Sequence, residues 1–199
     1  MPAVSRARRL RRLAVLDQKL LAKAFRFALA AHAGQKRKGT DLPYILHPLG
    51  VTAAVLHMGG DARMAAAALL HDVLEDTSAS PAALRRAFPS RVARLVAAES
   101  DDTTLPWEER KRRTVARLRR APREVLRLAF ADKLDNIRAI ARDHERFGEG
   151  VWRRFNRPRL LQQRYYRALE AVFRRRLTGP DRAWSREFSR LVSAAFRTG

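Results

Sequence analysis

The segment richest in reactive groups is His71-Asp72-Val73-Leu74-Glu75-Asp76. One imidazole and three carboxylates follow Met64-Ala65-Ala66-Ala67-Ala68-Leu69-Leu70, which is almost purely apolar. His71 and Glu75 are four residues apart, as are Asp72 and Asp76, so on a helix each pair shares one side. Such groups are costly to bury unless something neutralises them. Carboxylates near a helix C-terminus also oppose the helix dipole. A divalent cation would compensate both effects; the alternative is an acidic helix end that meets solvent.

Two distant segments favour the cation. Tyr44-Ile45-Leu46-His47-Pro48 places a histidine at a helix start. Asp132 follows Leu126, Leu128, Ala129, Phe130 and Ala131, where a lone carboxylate is poorly placed, and Asn136 lies one turn on along the same face. His47, His71, Asp72 and Asp132 make two imidazoles and two carboxylates. That mixed set suits Mn²⁺, Fe²⁺ or Zn²⁺, with solvent completing the shell. Open coordination positions point to hydrolysis.

The elements that must position these residues are helical almost throughout. An apolar stripe runs from Leu16 through Leu20, Leu21, Ala24, Phe25 and Ala28 towards His32, and Gly34 ends it. Residues 35–41 read as a basic loop. Helices are expected from Pro48 to Met58 and, with Asp61 as N-cap, from Ala62 to Glu75. Others are expected from Pro81, from Pro89 or Ser90, from Pro106 to Arg120, from Pro122 to His144, from Pro158 to Leu177, and around Trp184 to Phe196. No convincing strand or internal repeat is present. The expected fold class is all-α, a compact multi-helix bundle forming one domain at 16–178. A basic N-terminal extension at 1–15 and an accessory helix at 179–199 flank it.

The 199 residues suit one domain with a real core. No cysteine is present, which excludes disulfides, thiolate catalysis and Cys-ligated zinc, and fits a cytoplasmic location. No apolar run reaches the length of a membrane span. The basic start, Ser5 to Arg12, is not expected to be a signal peptide, because Asp17, Lys19 and Lys23 break the apolar stretch that should follow. The chain carries 42 Lys+Arg against 20 Asp+Glu, a net charge of +22. That excess implies a polyanion: nucleic acid, an acidic membrane surface or a highly phosphorylated small molecule.

The ordered set His47…His71-Asp72…Asp132 resembles the H…HD…D pattern of HD-domain metal phosphohydrolases. The resemblance is closer to one branch. His32-Ala33-Gly34-Gln35-Lys36-Arg37-Lys38, Pro43 to Pro48, Leu69 to Thr77 and Ala131 to Asn136 are similar to the hydrolase domain of RelA/SpoT alarmone enzymes. Asp101-Asp102-Thr103-Thr104-Leu105-Pro106 with Glu109-Arg110-Lys111-Arg112 resembles the small alarmone hydrolases and the metazoan SpoT homologue. The likeness covers roughly residues 20–175.

The resemblance implies one Mn²⁺ held by His47, His71, Asp72 and Asp132. Glu75 and Asp76 would position and activate the attacking water. The implied reaction removes pyrophosphate from the 3′ position of guanosine 3′,5′-bis(diphosphate) (ppGpp) or its pentaphosphate relative. Arg37 and Lys38 match the basic pair beside the nucleobase, Lys111 and Arg112 a basic stretch near the 5′ phosphates, and Tyr165 or Tyr166 a pocket tyrosine. Asn136 would hydrogen-bond substrate or orient Asp132. The chain departs from the family at Leu42, at Ser100 and at Leu161, where a close relative carries arginine. These rim changes leave (p)ppApp hydrolysis or NADPH 2′-phosphatase activity as alternatives. An alternative of another class is a basic nucleic-acid-binding regulator on an HD scaffold. His32 reads either as part of the site or as a packed core residue. His57 reads as structural and His144 as a surface residue, while Trp107, Trp152 and Trp184 read as packing residues.

Overall fold

Proline sets where most helices begin. Ser80 caps the helix Pro81–Ala87 with its side chain while Pro81 takes the first helical position. Pro89, Pro106, Pro122 and Pro158 stand at the N-caps of the next four helices, with φ near −55° and ψ of 145–153°. That extended ψ excludes them from the helix proper, so the helices expected from Pro106, Pro122 and Pro158 start one residue later, at Trp107, Arg123 and Arg159.

The computed structural model describes residues 3–197, with side chains from residue 17 onward. The helices are α1 (Ala3–Ala31), α2 (Leu46–His57), α3 (Ala62–Leu70), α4 (Val73–Asp76), α5 (Pro81–Ala87), α6 (Ser90–Glu99), α7 (Trp107–Leu118), α8 (Arg123–Phe147), α9 (Arg159–Arg176) and α10 (Arg182–Ala195). Short 3-10 turns occupy Gly148–Arg154 and Gly179–Asp181. Among the described residues there is no strand, and the all-α expectation is met. No described helix is long and apolar enough to cross a membrane. α1 runs unbroken across the boundary expected at residue 15. The side chains of the basic run Arg8 to Arg12, and of Leu16, lie outside the described residues.

The helices group into two compact units. The first comprises residues 1–35 and 43–100, hence α1 to α6. Its centre is α3, on which α1, α2 and α6 pack. Ala65, Ala66, Ala67, Ala68 and Leu70 are fully buried, and the alanines let three helices approach one axis closely. The second unit comprises residues 36–42 and 101–199, with α7 to α10. Phe130 of α8, Phe173 of α9 and Phe188 of α10 meet at centroid distances of 4.9–5.8 Å. Phe188 and Val192 are fully buried, so α10 supplies core to this unit.

One helix differs from expectation in a way that matters for chemistry. The helix expected from Ala62 to Glu75 stops at Leu70, turns through His71 and Asp72, and restarts as α4. The His71 ring competes locally with the backbone ladder. Its Nδ1 lies 2.8 Å from the Ala68 carbonyl oxygen, and Asp72 sits at φ −95°, ψ −4°.

At the other end of α3, Asp61 accepts hydrogen bonds from the Arg63 and Met64 backbone N–H groups and pairs with Arg91. Desolvation raises its pKa, but the Arg91 and backbone hydrogen bonds outweigh this, and the net shift is downward. Asp61→Ala is expected to cost about 1–2 kcal/mol of stability in urea unfolding, the range for a lost N-cap. A loss under ~0.3 kcal/mol would contradict the capping role.

Candidate functional site

In the first unit α2 delivers His47, and the turn after α3 delivers His71 and Asp72. His47 and His71 are each 2% exposed. Their Nε2 atoms lie 3.2 Å apart. Asp72 Oδ2 lies 3.0 Å from His71 Nε2 and 3.5 Å from His47 Nε2. Within the first unit, His47, His71 and Asp72 therefore form one His-His-Asp cluster. The Ala68 carbonyl can only accept, so His71 carries its proton on Nδ1 and presents a lone pair at Nε2. A backbone carbonyl fixing the far nitrogen is how metal-binding histidines are commonly oriented. The donor set and its tautomer fit a divalent cation.

Tyr44 is a site residue that the sequence reading passed over. Its hydroxyl donates to Asp72 Oδ2 at 2.5 Å, with Asp76 Oδ2 a second acceptor at 3.2 Å. It thus links the carboxylate of the cluster to the pair beyond it. The available signal was its place three residues before His47, in the turn that leads into α2. Asp76 keeps an exposed edge, yet its pKa is raised, first by desolvation and then by the charge of Asp72. Glu75 is half-buried on α4. His32 is buried against the Tyr44 ring, at a centroid distance of 4.7 Å. Its Nδ1 engages Gln35, whose amide donates to the Asp76 carbonyl at 2.7 Å. His32 is thus a packed residue that also steadies α4.

The second unit holds another polar group on α8. Asp132 is buried, and its Oδ1 accepts from Asn136 Nδ2 at 2.7 Å. Its Oδ2 accepts from Lys133, a partner that the sequence reading did not anticipate. Two donors leave lone pairs on a carboxylate, so Asp132 keeps capacity for a cation. Asn136 orients Asp132 and accepts from Arg37 Nη2 at 3.4 Å, while Asp135 lies 3.6 Å from the same nitrogen. Arg37, Asp132 and Asn136 therefore form one chain of contacts.

Lys38 stands apart from that chain, donating to Asn156 at 3.1 Å beside the Phe155 ring. Their loop is shaped by Gly39, whose φ is +74° and where a Cβ would meet Arg154 Cδ at 2.7 Å. Lys111 lies over the Tyr165 ring and 3.3 Å from Asp101. Lys111, Arg112 and Tyr165 line a pocket of about 420 Å³ together with Trp107 and Arg164. The Arg112 guanidinium is bound to Glu109 at 2.7–2.8 Å and largely exposed, which places it at the rim. Tyr166 is packed in the core near Phe188 and Phe196, and burial pushes its phenol above the ordinary range. Of the two tyrosines, only Tyr165 lines the pocket.

Buried imidazoles beside an Asp, the His-Asp pair at a broken helix, and an Asp on a later apolar helix define a recognisable class. A family description, HD domain, matches residues 24–157, and the chain belongs to the HD-domain family. More particularly, it is 38% identical over 129 residues to the guanosine-3′,5′-bis(diphosphate) 3′-pyrophosphohydrolase MESH1 of Xenopus tropicalis, covering 63% of this chain and 72% of that one. It is 39% identical over 125 residues to the MESH1 of Homo sapiens, covering 61% and 70%. Among solved structures, it is similar to lmo0812 of Listeria monocytogenes, with TM-score 0.70 and 34% identity over 75% of this chain and 98% of that one. It is also similar to a metazoan orthologue of SpoT described as hydrolysing ppGpp, with TM-score 0.72 and 25% identity over 86% and 93%.

Proposed function

We propose that the chain is a metal-dependent phosphohydrolase that removes the 3′-diphosphate of ppGpp or pppGpp, giving GDP or GTP and pyrophosphate. The observation that carries this is the cluster of buried His47 and His71 with the partly exposed Asp72, together with the pyrophosphohydrolase relatives. His47, His71, Asp72 and Asp132 are the proposed ligands of one divalent cation, with Mn²⁺ as the proposed identity. When bound, such a cation acidifies water and takes up charge that develops on the phosphoryl oxygens.

The chain's own residues carry the rest. The bond to be broken joins the ribose 3′ oxygen to phosphorus. Water supplies hydroxyl to phosphorus, and its proton ends on the 3′ oxygen. Glu75 and Asp76 are proposed to orient that water and hold the proton in transit. The raised pKa of Asp76 brings it nearer to the ideal for a proton carrier at neutral pH. Tyr44 holds Asp72 and Asp76 in one geometry. Arg37 is proposed to stack on the nucleobase, with Lys38 beside it and Asn136 fixing the Arg37 head. Lys111, Arg112 and Tyr165 are proposed to meet the remaining phosphates. The lack of cysteine supports a cytoplasmic setting.

Product analysis tests the reading. Purified protein with ppGpp and Mn²⁺ is expected to release pyrophosphate, and a chelator is expected to stop it. Absence of metal-dependent pyrophosphate release would overturn the proposal. (p)ppApp and NADPH belong in the same panel, because Leu42 and Leu161 alter the rim; orthophosphate release would mark NADPH as the substrate. Tyr44→Phe is expected to lower kcat by about 10–100-fold with the fold intact, the range for residues that orient metal ligands. Unchanged kcat would remove Tyr44 from the site.

A further inference from the structure

The hydrolase site leaves most of the arginines unexplained, and they are not spread evenly. At one end of the second unit, the C-termini of α7 and α9 meet the N-termini of α8 and α10. The Arg176 guanidinium ties this end together by donating to the carbonyls of Leu118, Arg119 and Ala121. Arg123 and Arg127 close on Asp181 at the start of α10. Around these fixed points Arg119, Arg120, Arg123, Arg174, Arg175 and Arg182 are exposed.

Acidic residues are nearly absent there. None occurs between Glu109 and Glu124, or between Glu170 and Asp181. Of the two that do occur at this end, Asp181 is 2% exposed and already neutralised by its arginines, and Glu124 is half-buried. Arg119, Arg120, Arg174, Arg175 and Arg182 have no carboxylate partner among the described residues. The two helix N-termini at this end are offset by the two C-termini of α7 and α9, so its positive charge comes from the arginine side chains. A folded chain gains nothing by gathering unpaired guanidinium groups, which repel one another.

We propose that this arginine end is a docking surface for the phosphodiester backbone of duplex nucleic acid. Guanidinium groups bind phosphate bidentately. None of the exposed large apolar residues lies at this end, which disfavours a lipid surface. It also lacks an exposed aromatic ring on which unpaired bases would stack, so the surface reads the backbone rather than single strands. The surface adds a binding activity to the chain and does not depend on the nucleotide that the hydrolase site takes.

The test is fluorescence anisotropy of the full chain with labelled DNA and RNA duplexes of ~20 base pairs, titrated with salt. Affinity should fall steeply with salt on DNA, RNA or both, the two arms showing which backbone is preferred. Arg120→Ser, Arg174→Ser, Arg175→Ser and Arg182→Ser together should flatten the log–log slope by about 3–4 and weaken binding near 0.1 M salt by roughly a thousandfold or more. Pyrophosphate release should be unchanged. Each single change should remove about 0.9 of slope, which keeps the proposal testable if the fourfold variant does not fold. Lysine at the same four positions should preserve the slope. Neutralising Arg26, Arg63, Arg85 and Arg86, exposed on the first unit, should leave it unaltered. The proposal is overturned if the wild-type chain shows no salt-dependent duplex binding. It is equally overturned if the fourfold serine variant and the first-unit variant lose binding alike, or if only anionic vesicles bind.

Discussion

Asp72→Ala is expected to reduce pyrophosphate release from ppGpp by at least about 10³-fold, some 4 kcal/mol of barrier. Asp72 Oδ2 touches both buried imidazoles and the Tyr44 hydroxyl. Removing it takes away the carboxylate that faces both ring nitrogens. Metal content by elemental analysis should fall with activity. The helices should persist, because the Asp72 side chain is partly exposed and makes no cap hydrogen bond to α4. Asp72→Asn retains shape but loses charge and should be nearly as inactive. A variant that keeps more than about a tenth of wild-type turnover would refute Asp72 as a ligand.

The second large effect concerns stability and lies far along the chain from these residues. Asp181→Ala should destabilise the protein by about 3 kcal/mol, lowering Tm by roughly 6–12 °C. The carboxylate takes a two-pronged grip from Arg127 at 2.7 and 2.8 Å and a further bond from Arg123 at 3.1 Å. Its loss strands Arg127, which is mostly buried. Arg123 is largely exposed and contributes little. Burial alone would raise the Asp181 pKa, but the two arginines reverse this and hold it below the ordinary carboxylate value. Its contribution is therefore complete above about pH 4 and is lost as pH falls further through the lowered folded value. Urea unfolding of wild type and Asp181→Asn should converge below pH 4. A constant gap down to pH 2 would show that charge is not the cause.

Much of the fold is legible in local pattern. Prolines and serines mark helix starts because their backbone geometry is decided within a few residues. The apolar run before His71 announces a central helix because only a buried one tolerates it. The break at His71–Asp72 was not legible, since it depends on a side chain reaching back to the Ala68 carbonyl in place of the regular ladder. Tyr44 was likewise visible as a letter but not as a bridge between two carboxylates, which only the tertiary turn creates. Lys133 beside Asp132 shows the same limit: neighbours in sequence often diverge on a helix, and here the flexible lysine stem folds back. Lys111 and Arg112 look equivalent in the sequence. The structure divides them, one held under Tyr165 and the other drawn to Glu109.

The early end of α3 has an electrostatic consequence of its own. A helix terminus concentrates roughly half an elementary negative charge in its last carbonyls. By stopping at Leu70, α3 aims that field at the His-His-Asp cluster rather than dissipating it one turn later in solvent. The same interruption lets two consecutive residues, His71 and Asp72, face one point, where an unbroken helix would splay them by about 100°. The backbone itself thus adds a non-titrating negative field: it favours a cation at every pH and survives substitution of Asp72, whereas a change at His71 would remove the contact with Ala68 that ends α3.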